Sequence, residues 1–502
     1  MSLLGIDIGT SGVKVIFLRE DGKILANIVE EYPISNPHPM WSEQNPEDWW
    51  QATCRAIHRG LSDAGLKPSE IKGVGLSGQM VGLVALDKDC QVIRPCIMWN
   101  DQRSAKETDE LTKHIGLQKI LHETSNRLFA TFVAPKLVWI RNHEPGNYHR
   151  IRYILMPKDY IVYRLTDCIG TEVSDASGTC LFNVRERRWS DAMIEATEIP
   201  DEWLPNCTES EEISGIVTTK AATESGLSKG TPVVAGAGDQ PAQALGSGIV
   251  KPGLCSVTIG TSGVIFAQMD QHIEHPEGLL HSFCHSVRGQ WYLMGVMLSA
   301  GGSLQWLRTT FSSLTPISYD AMTDLAVSVP PGCEGLIFLP YLAGERCPYD
   351  DPHARGSWIG LTNRHGPAHL IRSVMEGITY GLCDSIQIMR NLGMTINRIY
   401  ASGGAVKSVF WRQMLADTFE TEIALTNVTE GAAYGAAMLA GIGTGQYANA
   451  VEAADALVNI KEVLIPNSSS CEIYKRTYSI YRSLYPQLKS SFSALTEIAN
   501  QL

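Results

Sequence analysis

Positive charge is in short supply: 41 Lys and Arg stand against 53 Asp and Glu, for a net charge of −12. That balance excludes an electrostatic footprint for nucleic acid. Long apolar runs are missing too. The longest, around Ala432 to Ile442, is Gly-rich and much shorter than the roughly 20 residues that a membrane-spanning helix needs. The 12 cysteines form no Cys-x-x-Cys pair and no metal-ligand spacing. No leader segment precedes the first apolar strand, so they are expected to be reduced thiols in a cytoplasmic protein. No Gly-x-x-x-x-Gly-Lys-Ser/Thr sequence occurs, which excludes a P-loop phosphate cradle. Low-complexity segments and charge runs are absent as well.

What is present is a repeat. Ile8-Gly9-Thr10-Ser11-Gly12-Val13 returns as Ile259-Gly260-Thr261-Ser262-Gly263-Val264, half of the 502-residue chain further on. The flanks are apolar or β-branched, so each copy reads as strand, tight Gly turn, strand. Small residues let backbone N–H groups approach an anion, and Thr and Ser add hydroxyl donors. A repeat at half the chain length points to two related domains facing each other, with two turns able to clasp a chain of phosphates. One position breaks the symmetry. Asp7 precedes the first copy where Thr258 precedes the second. A carboxylate beside a phosphate turn suits hydrated Mg²⁺, which favours carboxylates and phosphate oxygens.

Strands are predicted over residues 3–8, 13–19 and 24–32. Asn45-Pro46-Glu47-Asp48 opens a helix that ends at Gly65. A short strand from Ile71 runs into Ser77-Gly78-Gln79-Met80-Val81-Gly82. Polar residues and glycines past a strand end are where α/β proteins place ligands, although a hairpin turn would read the same way. Trp99-Asn100-Asp101-Gln102-Arg103 offers groups for a polyhydroxylated molecule, or else a solvated helix start. Val233 to Gln240 is a buried strand that ends in small residues and then presents Asp239 and Gln240. Such an acid is either a helix N-cap or a catalytic group. Residues 246–253 read as a crossing between domains, which divides the chain into 1–247 and 248–502. Ser402-Gly403-Gly404-Ala405 joins a strand to an amphipathic helix; a flat ring could lie on it, and close strand–helix packing explains it equally well. The Ala- and Gly-rich stretch from Gly431 to Gly441 is expected where backbones approach closely, and Tyr474, Tyr478, Tyr481 and Tyr485 form a core stripe on the last helix.

Several stretches in order carry a resemblance: residues 5–14, Pro37 to Gln44, Gly78-Gln79-Met80, Trp99-Asn100-Asp101, Pro157-Lys158-Asp159-Tyr160, Gly238-Asp239, Gly344-Glu345-Arg346 and Trp411 to Asp417. On these the chain resembles the FGGY carbohydrate kinases over nearly its whole length, xylulokinases most of all. The resemblance implies an α/β fold of two ribonuclease-H-like domains of the actin/hexokinase superfamily, with an active-site cleft between them that closes on binding. It implies ATP bound by Thr10, Ser11, Lys14, Gly260, Thr261, Ser262, Gly403 and Gly404, and Mg²⁺ organised by Asp7 through water. It implies a sugar held by Gln79, Met80, Val81, Trp99, Asn100, Asp101 and Gln240, with Asp239 as catalytic base. The expected reaction transfers the γ-phosphoryl group to a terminal hydroxyl of a small ketose, D-xylulose first, giving D-xylulose 5-phosphate; another ketose or polyol such as ribulose, erythrulose, a pentitol or glycerol is the alternative. Expected partners are the sugar and ATP, with neither nucleic acid nor membrane; a homodimer is one open assembly. The sequence departs from the xylulokinase pattern at Val81, where His is typical, at Gln240, where Asn is frequent, and at Thr131 and Val133, which break one family signature. A chaperone-like ATPase of the same superfamily is the rival of a different class, but nothing here reads as an added peptide-binding domain.

Overall fold

A computed structural model describes residues 2–312 and 316–501. In chain order the elements that build the site are β1 (Ser2–Ile8), β2 (Gly12–Arg19), β3 (Ile24–Glu31), α1 (Pro46–Ala64), β4 (Ile71–Gly78) and α2 (Val133–His143). β5 (Ile213–Ile216), β6 (Pro232–Val234), β7 (Ala237–Gly238) and α3 (Asp239–Gly246) complete the first half. The second half contributes β8 (Leu254–Ile259), β9 (Gly263–Met269), β10 (His281–Cys284), β11 (Trp291–Met297) and α4 (Gly301–Ser312). It continues with β12 (Arg398–Gly403), α5 (Val409–Phe419), β13 (Glu422–Thr426), α6 (Gly431–Gly443), β14 (Ile460–Leu464) and α7 (Ser468–Gln501).

Two seven-stranded mixed sheets carry the fold. The first runs β5-β6-β4-β1-β2-β3, with β7 also paired to β4. The second runs β10-β11-β9-β8-β12-β13-β14. Both are built on one plan. An antiparallel hairpin starts at the strand before the repeated turn, β1 or β8, and a parallel neighbour, β4 or β12, lies on its other side. Two domains of one α/β type, each a mixed sheet covered by helices, follow from that duplication.

Local signals explain the elements. Asn45 caps α1 by accepting from Glu47 N at 3.2 Å, Pro46 occupies the first helical position, and Gly65 closes the helix at φ 64°. α6 belongs to the second half of the chain but packs against the first sheet. A Cβ on Gly5 would lie 2.0 Å from Ala433 O, and one on Gly75 only 1.8 Å from Ala436 O. A Cβ on Gly435 would meet α3 just as closely, 1.9 Å from Ala242 O. The Gly and Ala of α6 are thus the condition for a three-way backbone contact at the junction of the two halves. On α7, Tyr474, Tyr481 and Tyr485 of the predicted stripe are buried in the second core while Tyr478 is only half-buried against it, and Tyr481 accepts from Tyr341 OH at 3.0 Å. All 12 thiols are free. Among the described residues no helix is long and apolar enough to cross a membrane.

Candidate active site

The two repeated turns lie at corresponding ends of the two sheets, but they close differently. Gly9 N donates to Gly12 O at 3.1 Å, while Gly260 N donates to Ser262 O at 3.0 Å. Pairing follows suit: Ile8 faces Val13, but Ile259 faces Gly263. Their braces differ as well. The first turn is held by side chains: Gln44 Nε2 donates to Thr10 O at 2.7 Å, Trp99 Nε1 to Thr10 Oγ1 at 2.9 Å, and Tyr32 OH to Gly9 O. Backbone holds the second, where Ala300 N and Gly302 N both donate to Thr261 O at 3.0 Å at the start of α4. Ser11 and Ser262 are exposed, free to meet a ligand. Lys14 sits opposite Asp7 on β2 and reaches across the junction to Glu430 Oε2 at 2.8 Å.

The sugar candidates gather at the ends of parallel strands β4 and β7. Gly78 ends β4 and pairs with Gly238, so Gln79 and Asp239 leave adjacent strand ends side by side. β4 runs parallel to its neighbours, and Val84–Leu86 pairs in another sheet, so residues 77–82 are a strand-end loop rather than a hairpin. Gln79 Nε2 donates to Gln44 Oε1 at 3.0 Å, which ties the loop to the first turn, while Gln79 Oε1 has no partner among the described residues. Met80 lies where a Cβ on Gly238 would be, 2.6 Å away at its Cγ, and accepts from Tyr292 OH of the other half at 3.9 Å. Val81 is buried, with its backbone in the left-handed region at φ 58°, and Gly178 leaves room for its Cγ1. Trp99 is 45% exposed over the first turn. Asn100 lines a separate recess of about 430 Å³ with residues 36–42.

Asp101 is placed as a brace. Its carboxylate is fully buried and accepts from Ser42 N at 2.6 Å and from Arg103 N, Nε and Nη2 at 2.9, 2.9 and 2.7 Å. Those four donors use the whole acceptor capacity of a carboxylate. The helix after it begins only at Ala105.

Asp239 is the first residue of α3, and the cap is Gly238. That removes the N-cap explanation for its carboxylate. Gly238 N itself donates to Ser174 Oγ at 3.0 Å, which fixes the approach to the helix. Asp239 is half-buried with protein on most sides; burial, and next the negative charge of Asp7, raise its carboxyl to about 7. Asp7 is raised as well, chiefly by burial, and its Oδ1 has no hydrogen-bond partner among the described residues. The charge of each of these two carboxyls is thus disfavoured, and Asp239 feels that of Asp7 at the end of the first turn. No cluster of three or more His, Cys, Asp or Glu among the described residues could hold a metal by itself.

On the second half a cavity of about 640 Å³ opens between the β8 turn, the start of α4 and the segment after β12. Gly260, Thr261, Gly301, Gln305, Gly404 and Trp411 line it. Gly403 has φ 91°, and a Cβ there would meet Ile259 O at 2.4 Å; at Gly404 a Cβ would meet nothing within 4 Å. The first glycine is needed for the backbone path, and the second keeps the cavity wall flat. Gln305 and Arg308 escape sequence reasoning because α4 carries only an ordinary amphipathic pattern.

Comparison with known proteins agrees with this arrangement. The N-terminal-domain model of the FGGY family of carbohydrate kinases matches residues 2–246, and the C-terminal-domain model matches residues 255–444. The xylulose kinase of Escherichia coli is 39% identical over 487 residues, covering 97% of this chain and 99% of that one. Its Bacillus subtilis counterpart is 36% identical over 493 residues, 98% of each. A crystal structure of a xyloylose kinase from Brucella ovis superposes with a TM-score of 0.92 at 35% identity, covering 98% of this chain and 100% of that one. With both domain models matched in order and relatives covered over nearly their whole length, the chain is a member of the FGGY family of carbohydrate kinases.

Proposed function

We propose that the chain transfers the γ-phosphoryl group of ATP to the terminal hydroxyl of D-xylulose, giving D-xylulose 5-phosphate, in the cytoplasm, with the chain divided at residues 247 and 248. The carrying observation is Asp239: a carboxyl raised to about 7, at the helix start beside the Gln79 loop and within electrostatic reach of Asp7. Near pH 7 it is poised to accept the hydroxyl proton as the phosphoryl group departs. Gln79 Oε1, an acceptor without a partner, orients a second sugar hydroxyl. Gln240, next to the base, offers both a donor and an acceptor. The nucleotide lies along Gly404 and Gly260, with its phosphates between the two turns. Asp7 Oδ1, buried and unpaired, fits an outer ligand for Mg²⁺ through water. When bound, Mg²⁺ neutralises charge on the β- and γ-phosphates. Thr10, Ser11, Thr261 and Ser262 supply donors that do not depend on it.

The test is ADP release with and without acceptor across pentuloses, tetruloses, pentitols, glycerol and hexuronates. D-xylulose should give the highest kcat/KM, and without acceptor the enzyme should be nearly idle. Preference for glycerol or a hexuronate would overturn the substrate. Equal turnover without acceptor would favour a conformational ATPase.

A further inference from the structure

Lys136 is a cation in an improbable place. It lies in the first turn of α2, the positive end of a helix, and its side chain is 0% exposed. No carboxylate lies within ion-pair distance of it among the described residues; the nearest candidate, Asp101, is saturated by Arg103 and backbone. A buried lysine is rare and costly unless its charge is matched by other polar groups. Here three carbonyls match it. Nζ donates to Val81 O at 2.7 Å, Met98 O at 2.8 Å and Ile97 O at 3.4 Å. Val81 closes the loop that carries Gln79 and Met80. Ile97 and Met98 lead directly into Trp99 and Asn100. One ammonium therefore cross-links the two segments that offer acceptor-binding side chains, and through Trp99 it reaches Thr10 of the first phosphate turn.

The backbone shows what the cross-link restrains. Val81 holds φ 58°, a conformation that a β-branched residue rarely adopts. Such strain persists only where the surroundings over-determine it. The Lys136 bond to Val81 O is the polar contact placed to do so. Burial lowers the amino group to about 7, only partly offset by the charges of Cys96 and Asp101.

We propose that Lys136 is a positioning residue for the acceptor: its ammonium fixes the loops at residues 78–82 and 97–101 against each other and holds Val81 in its left-handed conformation. This rests on reading those loops as the acceptor site. It is therefore tested with whichever acceptor the wild type turns over best, so that failure on D-xylulose would fault only the substrate proposal. Lys136→Met removes the donors and keeps the stem. It should raise the acceptor KM about tenfold or more while the ATP KM stays within about twofold. Val81→Gly supplies a residue that adopts the left-handed region unaided. In that background Lys136→Met should raise the acceptor KM less than about threefold, so the cycle should be strongly non-additive. Lys136→Gln, which keeps two donors, should fall between Met and wild type. Additive effects, or equal rises in acceptor and ATP KM, would overturn the proposal. Failure of both Lys136 variants to fold would overturn it too, by making the lysine a support of the core.

Discussion

The two halves of this molecule share a sheet plan and a six-residue turn, yet they divide the work. In the first, Asp7 precedes the turn, Gln79 follows the parallel strand and Asp239 opens the helix at the junction. At corresponding places the second has Thr258, Gly404 and the Gly-rich start of α6. Register confirms the correspondence: Ser77 and Gly78 face Asp7 and Ile8 as Ser402 and Gly403 face Thr258 and Ile259. The first half keeps acidic and amide groups, which on the proposed function orient and deprotonate a hydroxyl. At the matching positions the second has a hydroxyl and glycines, which on the proposed function leave backbone open to a nucleotide. Thr258 shows the substitution directly. Gln243 Nε2 and Ser402 Oγ bond its Oγ1 at 2.9 Å each, so the position that carries a carboxylate with one unpaired oxygen in one half is a satisfied hydroxyl in the other.

The largest test of that division is Asp239→Asn. It should lower kcat by about 10² to 10⁴, the usual worth of a general base, with ATP affinity within twofold of wild type. A fall of less than tenfold would break the asymmetry. The same change should stabilise the fold, with a definite pH window. The carboxyl is raised from 3.8 to about 7 in the folded protein, so ionising it costs stability as pH rises from near 4 to 7, and the cost is constant above that. The gain in melting temperature should be greatest above pH 7 and shrink toward pH 4.

A smaller effect is expected at the paired glycines. Gly403→Ala forces a side chain into φ 91° and against Ile259 O, so it should raise the ATP KM by about tenfold and leave the acceptor KM nearly unchanged. At Gly78, where φ is ordinary and the nearest atom to an added Cβ is Lys158 Cβ at 3.2 Å, alanine should be milder and act on the acceptor. Equal effects on ATP at both glycines would mean that the halves are not specialised.

The smallest effect is expected at Val81. Histidine tolerates the left-handed region better than valine and adds a hydrogen-bonding group. If D-xylulose is the native acceptor, Val81→His should leave its kcat/KM unchanged or raise it a few-fold, as the gain of a hydroxyl partner allows. A gain for D-xylulose accompanied by loss for another sugar in the panel would identify that sugar as native.

Much of this was legible in the sequence, for local reasons. The cap at Asn45, the close-packing residues of α6 and the tyrosines of α7 each act through neighbours on one element, and periodicity or turn chemistry reveals them. What escaped depends on pairing between distant segments. Identical six-residue turns close with different registers because the partner strands and braces differ: Gln44 and Trp99 on one side, the start of α4 on the other. Asp101 reads as a sugar ligand until Arg103 and Ser42 are seen to fill its acceptors. Gln44 ties the first turn to Gln79, yet nothing in its own neighbourhood announces this. Lys136 carries no local sign of the three carbonyls it meets, since two of them lie about 40 residues back and the third, Val81 O, still farther.

The central claim is that the first half supplies a coupled pair of carboxyls, with Asp239 as the proton acceptor. Its most direct measurement is a carbon-13 titration of aspartate carboxyls in metal-free enzyme, with the Asp239 signal assigned by its loss in Asp239→Asn. A midpoint near pH 7 that moves lower in Asp7→Asn is the expected result, because burial and then the Asp7 charge raise it. A midpoint near 4, or one that Asp7→Asn leaves unmoved, would contradict the account.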